Sequence, residues 1–396
     1  MISHEVAGTG EGEVQSLLAA LRRAGAAGTR LRLDLTGFDL GNASRRRLSP
    51  AWLAVVSNLL VGRFSDLPIR VALPEAPSAR MQLLRGAFYF ALAQRRGPVE
   101  FASHDDASAK AVSSSEGIWA PRRGPVPVLL EEAAGTRLAE RVYLYANTHS
   151  RAESGYFRRY EGSAAFPFLG KAVPRPQGRK GDALRSEFLS TTCETLAEVL
   201  DNISTHAFNL RDPEFRSDWL GPAIVDRSRS CLLVSLTTGG TDSCDRLHFL
   251  AFDNGFGIPR TMRWQHPDSL NRVEAADIVE CVLRSRLTDR AVDGHNGAGL
   301  WCLYNLARFA GGAITVTSED DLSDGRAAAQ LAVRVPAVGS AESAPHVQKR
   351  SVPVPWRGTT IQLQVRVPRL DGLAQDQIIE ARDNLHRYRA AWPQMA

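Results

Sequence analysis

The chain has 396 residues, enough for two domains with connecting segments, and its 44% hydrophobic and 23% charged content is typical of a soluble globular protein. A net charge of +5 is a weak indication of nucleic-acid binding. The five cysteines form no CxxC pair, which argues against a disulfide framework or a zinc site. The N-terminus does not resemble a signal peptide, and no apolar run is long enough to span a bilayer. We therefore expect a cytoplasmic protein that does not contact a membrane.

The first hundred residues alternate between patterns typical of helices and of strands. Ser caps a helix N-terminus well and Pro suits the first helical position, so Ser49-Pro50 predicts a helix start. The predicted elements in chain order are a helix at 12–25, a strand at 29–37, the helix that opens at Ser49, a strand at 69–74 and a helix at 79–96. This alternation predicts a small α/β domain over residues 1–100.

Residues 101–183 lack clean periodicity and are rich in Pro, Gly, Ser and Arg, which predicts a basic connector with strand content around 142–147. The part from 151 to 185 interleaves eight basic and three acidic residues with aromatic ones. Such a stretch can bind single-stranded nucleic acid. A linker that packs its aromatic side chains on a neighbouring domain is the favoured interpretation.

From residue 184 the periodic pattern sharpens and predicts a second domain over 184–370. Its predicted elements are a helix at 184–209, strands at 231–237 and 246–252, a helix at 274–285, a glycine-rich loop, a helix at 299–310, and strands at 313–318, 328–335 and 359–367. Residues 371–396 contain a polar helix predicted at 372–392.

One face of the first long helix in this domain carries polar side chains that suit metal and phosphate chemistry. Glu198, Asp201, Asn202 and His206 project from the same face, because they follow helical spacing. An Asn amide oxygen together with nucleotide phosphates can hold Mg²⁺, and a carboxylate one turn earlier can orient an attacking water. A solvated polar helix face is the alternative, and this pattern taken alone favours it.

Three further motifs follow in the chain. Residues 249–259 read FLAFDNGFGIP, a strand that ends in an acid and a glycine-rich turn, where Asp253 could accept a hydrogen bond from an exocyclic amine such as that of adenine. Residues 294–300 read GHNGAGL and open a helix, an arrangement whose backbone N–H groups suit an anion. Residues 357–360 read RGTT and lead into an alternating strand. Plain turns and a capped helix are the structural alternatives.

The order and spacing of the four motifs resemble the GHKL superfamily, which includes DNA gyrase B subunits, MutL proteins, large heat-shock chaperones and sensor histidine kinases. EVLDN is similar to the N box, DNGFGIP and GHNGAGL to the two glycine boxes, and RGTT to the closing Gly-Thr motif. The resemblance covers about residues 184–370. It implies an α+β fold, a two-layer α/β sandwich with a mixed sheet under helices (the Bergerat fold), with ATP and Mg²⁺ as cofactors.

The resemblance also implies residue roles. Glu198 would be the water-activating base and Asn202 the Mg²⁺ ligand. Asp253 would contact the adenine amine with support from Thr359. The remaining nucleotide-binding positions that it implies are Asp201, His206, Gly255, Gly257, Ile258, Gly294, Gly297, Gly299 and Leu300. A surface histidine is an equal alternative for His206. Because the second glycine box continues with Trp and Cys and no phosphoacceptor helix precedes the domain, we do not expect a self-contained sensor histidine kinase.

The N-terminal domain resembles, over residues 28–97, the STAS domain of anti-sigma-factor antagonists. The resemblance depends on Asp34-Leu35-Thr36-Gly37 at a strand end, followed by the Ser-Pro helix start. In those proteins a GHKL kinase phosphorylates a serine near that helix. Ser44 and Ser49 are the nearest candidates, although a helix cap is the favoured interpretation of Ser49.

The expected function is Mg²⁺-dependent ATP binding and hydrolysis, with the GHKL domain acting as a conformational switch for the N-terminal domain or for a protein partner. One alternative is a serine/threonine kinase of the anti-sigma partner-switching type. Another is a non-catalytic ATP-sensing module, against which Glu198 argues because a sensor needs no base. The sequence leaves a homodimer open.

Overall fold

A computed structural model shows a mixed α/β protein that contains one parallel sheet and one mostly antiparallel sheet. Among the described residues, no helix is long and apolar enough to cross a membrane. The structure describes residues 1–5, 11–36, 59–60, 64, 66–74, 92, 97–102, 125–132, 138–145, 182, 185–186, 188–189, 192, 232–238, 246–253, 255–284, 300, 303–304, 306–308, 311–323, 326–336 and 344–366.

The N-terminal sheet has four parallel strands paired in chain order, which are β1 (Ile2–Glu5), β2 (Leu31–Asp34), β3 (Ile69–Ala72) and β4 (Val99–Ala102). Helix α1 (Glu11–Ala26) joins β1 to β2, because parallel neighbours need a crossover connection. Leu17, Leu18, Leu21 and Ala24 form the buried stripe of α1 and pack in the core of this unit.

The structure confirms the predicted helix at 12–25 and, in shorter form, the strands predicted at 29–37 and 69–74. It adds β1 and β4, whose four residues each are too few to give a clear alternation. The helices predicted from Ser49 and at 79–96 lie outside the described residues, except for Leu59, Leu60 and Leu92, which are helical and buried.

The second sheet has eight strands in the order β11-β10-β9-β12-β8-β7-β5-β6. Every neighbouring pair is antiparallel except β5 with β7. The strands are β5 (Pro125–Glu132), β6 (Leu138–Tyr145), β7 (Leu232–Thr238), β8 (Arg246–Asp253), β9 (Gly312–Glu319), β10 (Ala328–Val335), β11 (His346–Val352) and β12 (Thr359–Arg366).

Two strands of this sheet lie inside the segment 101–183, for which the sequence predicted a connector with strand content only around 142–147. β5 pairs in parallel with β7, with Val128 opposite Val234, and β6 pairs with β5. The connector therefore contributes one edge of the second sheet. β6 overlaps the strand content predicted around 142–147, whereas β5 was not predicted from the sequence.

Helices cover one face of the second sheet. They are α2 (Ile258–Gln265), the short α3 (Pro267–Leu270) and α4 (Ala275–Arg284), the last of which confirms the helix predicted at 274–285. On β11, Lys349 forms ion pairs with Asp277 and Glu280 of α4, so the face that carries Lys349 is the helix-covered one. Lys349 lies opposite Leu331, and the register continues to Val316, Ile361 and Ala251 on that same face.

The N-terminal unit packs on the opposite face of the sheet. Leu250 of β8 and Ala328 of β10 alternate with the residues of the helix-covered face and therefore point away from it. Both belong to one contiguous buried cluster that also contains Val354, Trp356 and the apolar core around Leu17. The two sheets thus share a core across this face.

Other predicted helices are only partly described. In the helix predicted at 184–209, residues 185–186, 188–189 and 192 are helical, as is residue 182 just before it, and Phe188 and Leu189 are fully buried. In the helix predicted at 299–310, residues 300, 303–304 and 306–308 are helical. The helix predicted at 372–392 lies outside the described residues.

Candidate functional site

Asp253 is the last residue of β8, and its buried carboxylate is the centre of the candidate site. Asp253 is only 3% exposed. The Oδ1 atom accepts hydrogen bonds from the backbone N–H of Gly255 at 3.0 Å and of Thr359 at 3.3 Å. Thr359 reaches Asp253 because β12 pairs antiparallel with β8 and begins where β8 ends. The structure therefore brings together two predicted site residues that are 106 positions apart.

A serine that the sequence analysis did not identify connects the elements around Asp253. The Ser318 hydroxyl, near the end of β9, accepts a hydrogen bond from the backbone N–H of Ile258 at 2.8 Å. Its oxygen also lies 3.2 Å from the Thr359 hydroxyl. Ser318 thus links the start of α2 to β9 and β12. The only local signal for it is a polar residue at the end of a predicted apolar strand.

Gly257 is required by close packing of the main chain. A Cβ atom on this residue would lie 2.8 Å from the Glu319 backbone oxygen and 2.9 Å from the Glu319 Cβ, distances that real Cβ atoms do not adopt. Its φ is −69°, so close packing rather than a left-handed conformation requires glycine here. The close neighbour of the Gly257 backbone is strand β9.

The glycine of the RGTT motif has the left-handed conformation instead. Gly358 has φ +71°, and its carbonyl accepts the backbone N–H of Glu319 at 3.0 Å. This geometry turns the chain so that the next residue, Thr359, presents its N–H to Asp253. The DNGFGIP and RGTT motifs thus each supply one hydrogen-bond donor to the same oxygen, Asp253 Oδ1.

Burial raises the pKa of Asp253 to about 7, because desolvation disfavours the charged form. The hydrogen bonds from Gly255 and Thr359 lower the pKa, and the nearby carboxylate of Glu319 raises it further. No cation is among the described groups that shift this pKa. Asp253 is thus a buried acid without a positive partner in the described part of the chain, and near neutral pH both its forms are populated.

Glu319 and its neighbours are a second group that sequence reasoning missed. The residue is 5% exposed, and its Oε2 atom has no hydrogen-bond partner among the described residues. Arg357 and Arg260 attract its carboxylate, whereas burial, the largest influence, raises its pKa. Arg260 directly follows the DNGFGIP motif and Arg357 is the first residue of RGTT, which is the one sequence signal that could have identified this group.

The structure describes only part of the predicted site. Ile258 is the first residue of α2 and is partly buried, and Leu300 is helical and buried. The predicted residues that lie outside the described part of the chain are Glu198, Asp201, Asn202, His206, Gly294, Gly297 and Gly299. The described residues contain no group of three or more His, Cys, Asp or Glu side chains that could hold a metal ion.

No protein-family model matches this chain, and a search of curated proteins gives no significant match. The interpretation of the site therefore depends on its geometry and on the sequence motifs.

Proposed function

We propose that the chain binds ATP with Mg²⁺ through a GHKL-type domain over residues 184–370 and hydrolyses it as a conformational switch. The observation that carries this proposal is the buried Asp253 carboxylate. Its Oδ1 atom accepts one hydrogen bond from the DNGFGIP motif and one from the RGTT motif. Because both described donors bind Oδ1, we assign Oδ2 to the exocyclic amine of adenine.

The electrostatics of Asp253 favour a ligand-binding role over a structural one. A buried carboxylate that serves only the fold is normally paired with a cation, since an unpaired buried charge is costly. The described groups around Asp253 supply two backbone N–H donors and a second carboxylate. An amine donor from a ligand would offset the cost of burying the ionised form, and a perturbed pKa in such a place is typical of functional groups.

The phosphate end of the site is assigned by the resemblance of the EVLDN segment to the N box. In this proposal Asn202 holds Mg²⁺, which neutralises charge on the nucleotide phosphates when it is bound. Glu198 orients the attacking water and takes its proton. Neither residue is in the described part of the chain, so these roles are proposed from the sequence alone.

The packing of the N-terminal unit supports a relay from the nucleotide site. Trp356 and Val354 are buried in the core that the two sheets share. Three residues after Trp356, Thr359 donates its N–H to Asp253. A change in the segment that holds Asp253 would therefore act directly on the packing of the N-terminal unit.

The decisive experiment measures both binding and turnover. Wild-type protein is titrated with ATP and Mg²⁺ by calorimetry and then incubated with γ-labelled ATP, and we expect tight binding and release of labelled phosphate. The variant Glu198→Gln should still bind ATP while turnover falls by about 10²–10⁴-fold, the contribution of one positioned acid–base group. The variant Asn202→Ala should instead weaken binding of the Mg²⁺–nucleotide complex.

The other outcomes distinguish the alternatives. Label on a serine near residues 44–49 would identify a protein kinase of the partner-switching type. Tight binding without any turnover would identify an ATP sensor. The absence of any ATP binding by the wild type would refute the proposed function.

A further inference from the structure

Glu319 contacts both of the segments that hold Asp253. On one side its backbone lies against Gly257, close enough to exclude a Cβ there. On the other side its N–H donates to the Gly358 carbonyl at 3.0 Å, and the Gly358 backbone N–H acts to lower the pKa of its carboxylate. Gly255 and Thr359 donate hydrogen bonds to Asp253. Each of these donors lies within two positions of Gly257 or Gly358.

Each of the two segments also carries an arginine that interacts with the Glu319 carboxylate. Arg260 is on α2, three residues after Gly257, and Arg357 immediately precedes Gly358. Both arginines attract the Glu319 carboxylate, so each segment carries one positive charge that acts on the same acid. Asp321, in the turn that follows β9, is the described acid that opposes this attraction.

A neighbouring ion pair fixes the other end of α2. Arg263 of α2 pairs with Asp321 and also donates to the Leu270 and Val273 carbonyls. The ion pair joins α2 to the turn after β9, and Asp321 also acts electrostatically on Arg260 and Glu319.

We propose that Glu319 is a positioning residue for the adenine-binding site: its backbone contacts both segments that hold Asp253, and its carboxylate attracts one arginine from each of them, Arg260 and Arg357. This inference rests on the proposed function. Among the described residues Glu319 Oε2 has no hydrogen-bond partner, and a buried oxygen of this kind is costly for folding. A role in positioning Asp253 accounts for a glutamate at this place.

The role predicts a specific kinetic signature. Adenine makes the same contacts in the ground state and in the transition state, so looser positioning of Asp253 should raise KM for ATP and leave kcat unchanged. In addition, loss of the nearby negative charge should lower the pKa of Asp253 and thereby move the acid limb of adenosine binding to lower pH. Adenosine is the suitable probe because it has no phosphate that titrates near neutral pH.

The test uses Glu319→Gln in the full chain, with Asp277→Asn as the matched control. Asp277 is an exposed acid on α4 whose partner Lys349 keeps Glu280 as a second partner. For Glu319→Gln we expect KM to rise roughly threefold to tenfold at pH 8 with kcat unchanged. We also expect the midpoint of the adenosine-binding pH profile to fall by roughly half a unit. The control should behave as the wild type in both measurements.

Wild-type values of both KM and midpoint in folded Glu319→Gln would overturn the inference. If that variant does not fold, Arg260→Gln decides, since it loosens only the α2 side and should raise KM by a smaller factor with kcat unchanged. An unchanged KM in Arg260→Gln would then overturn the inference. A wild-type protein that binds neither ATP nor adenosine would refute the proposed function itself, and this inference with it.

Discussion

Asp34 and Asp253 end strands in the two different sheets, and their local geometry is nearly the same. In each case Oδ1 accepts the backbone N–H of the residue two positions later, at 3.0 Å from Thr36 in the first and 3.0 Å from Gly255 in the second. Their ionisation nevertheless differs in direction, because the pKa of Asp34 is lowered whereas that of Asp253 is raised to about 7.

The difference comes from the surroundings of the two carboxylates. The Asp34 side chain is 16% exposed and forms an ion pair with Arg32 at 2.8 Å. Burial acts to raise its pKa, but hydrogen bonds from Thr36 and Arg32 outweigh that effect. Asp253 is buried more deeply, and its second partner is a neutral backbone group from a distant strand. A shared turn motif therefore positions an acid, while burial and counter-charge decide its ionisation state.

The largest expected contrast between these two acids is in nucleotide binding. Asp253→Asn should weaken ATP binding roughly 10- to 100-fold, since a lost charge-assisted hydrogen bond in a pocket costs about 1.5–3 kcal/mol. Asp34→Asn, the matched strand-end control, should leave the affinity unchanged. Calorimetric titration measures both. Equal affinities in the two variants would contradict the placing of the adenine site at Asp253.

A second contrast is between two glycines, Gly257 beside the second sheet and Gly25 in α1 of the N-terminal unit. Gly257→Ala should destabilise the protein by about 1–3 kcal/mol, because the added Cβ would meet the Glu319 backbone. Gly25→Ala in α1 has open space around the new atom and should stabilise the helix by about 0.5–1 kcal/mol. Denaturant unfolding of both variants checks the opposite signs, and a destabilised Gly25→Ala would show that α1 is not the helix described.

The third contrast is in how folding stability depends on pH. Asp253 has a raised pKa in the native state, so the native state binds more protons and its stability falls as pH rises between the unfolded value of 3.8 and about 7. Asp253→Asn removes that cost and should stabilise the ligand-free protein at pH 8. Asp34 has a lowered pKa and stabilises the fold at pH 8, so Asp34→Asn should destabilise it slightly.

Thermal unfolding of the two variants at pH 8 without ligand provides the measurement. An acid whose charged form the native structure stabilises would give the same sign as Asp34. The prediction therefore fails if Asp253→Asn unfolds at a lower temperature than the wild type.

The last expected effect is on adenosine binding as pH falls. The ionised form of Asp253 is the better acceptor, and its pKa is about 7, so binding should be about tenfold weaker at pH 6 than at pH 8. The Asp253→Asn variant should bind weakly and independently of pH over this range. A wild-type affinity that does not change between pH 6 and 8 would mean that Asp253 does not titrate in the site.

Part of this organisation could be predicted from the sequence. The stripe of leucines in α1 predicted a helix. The acid that ends β8 and the glycines that follow it predicted a turn after this strand. A family resemblance placed Thr359 beside Asp253, and the structure has the Thr359 backbone N–H donating to Asp253 Oδ1. Ser318 and Glu319 were not identified, because a polar strand end has no distinctive local pattern.

The sequence by itself therefore determined which segments are helices and strands in the clearest cases and which polar residues end the strands. Only the tertiary structure decided that residues 125–132 join the second sheet, that Gly257 packs against Glu319, and that Asp253 is held from two sides. It also decided the difference in pKa between Asp253 and Asp34. The physical reason is that desolvation and Coulomb interactions act through space, between groups that the order of residues along the chain does not bring together.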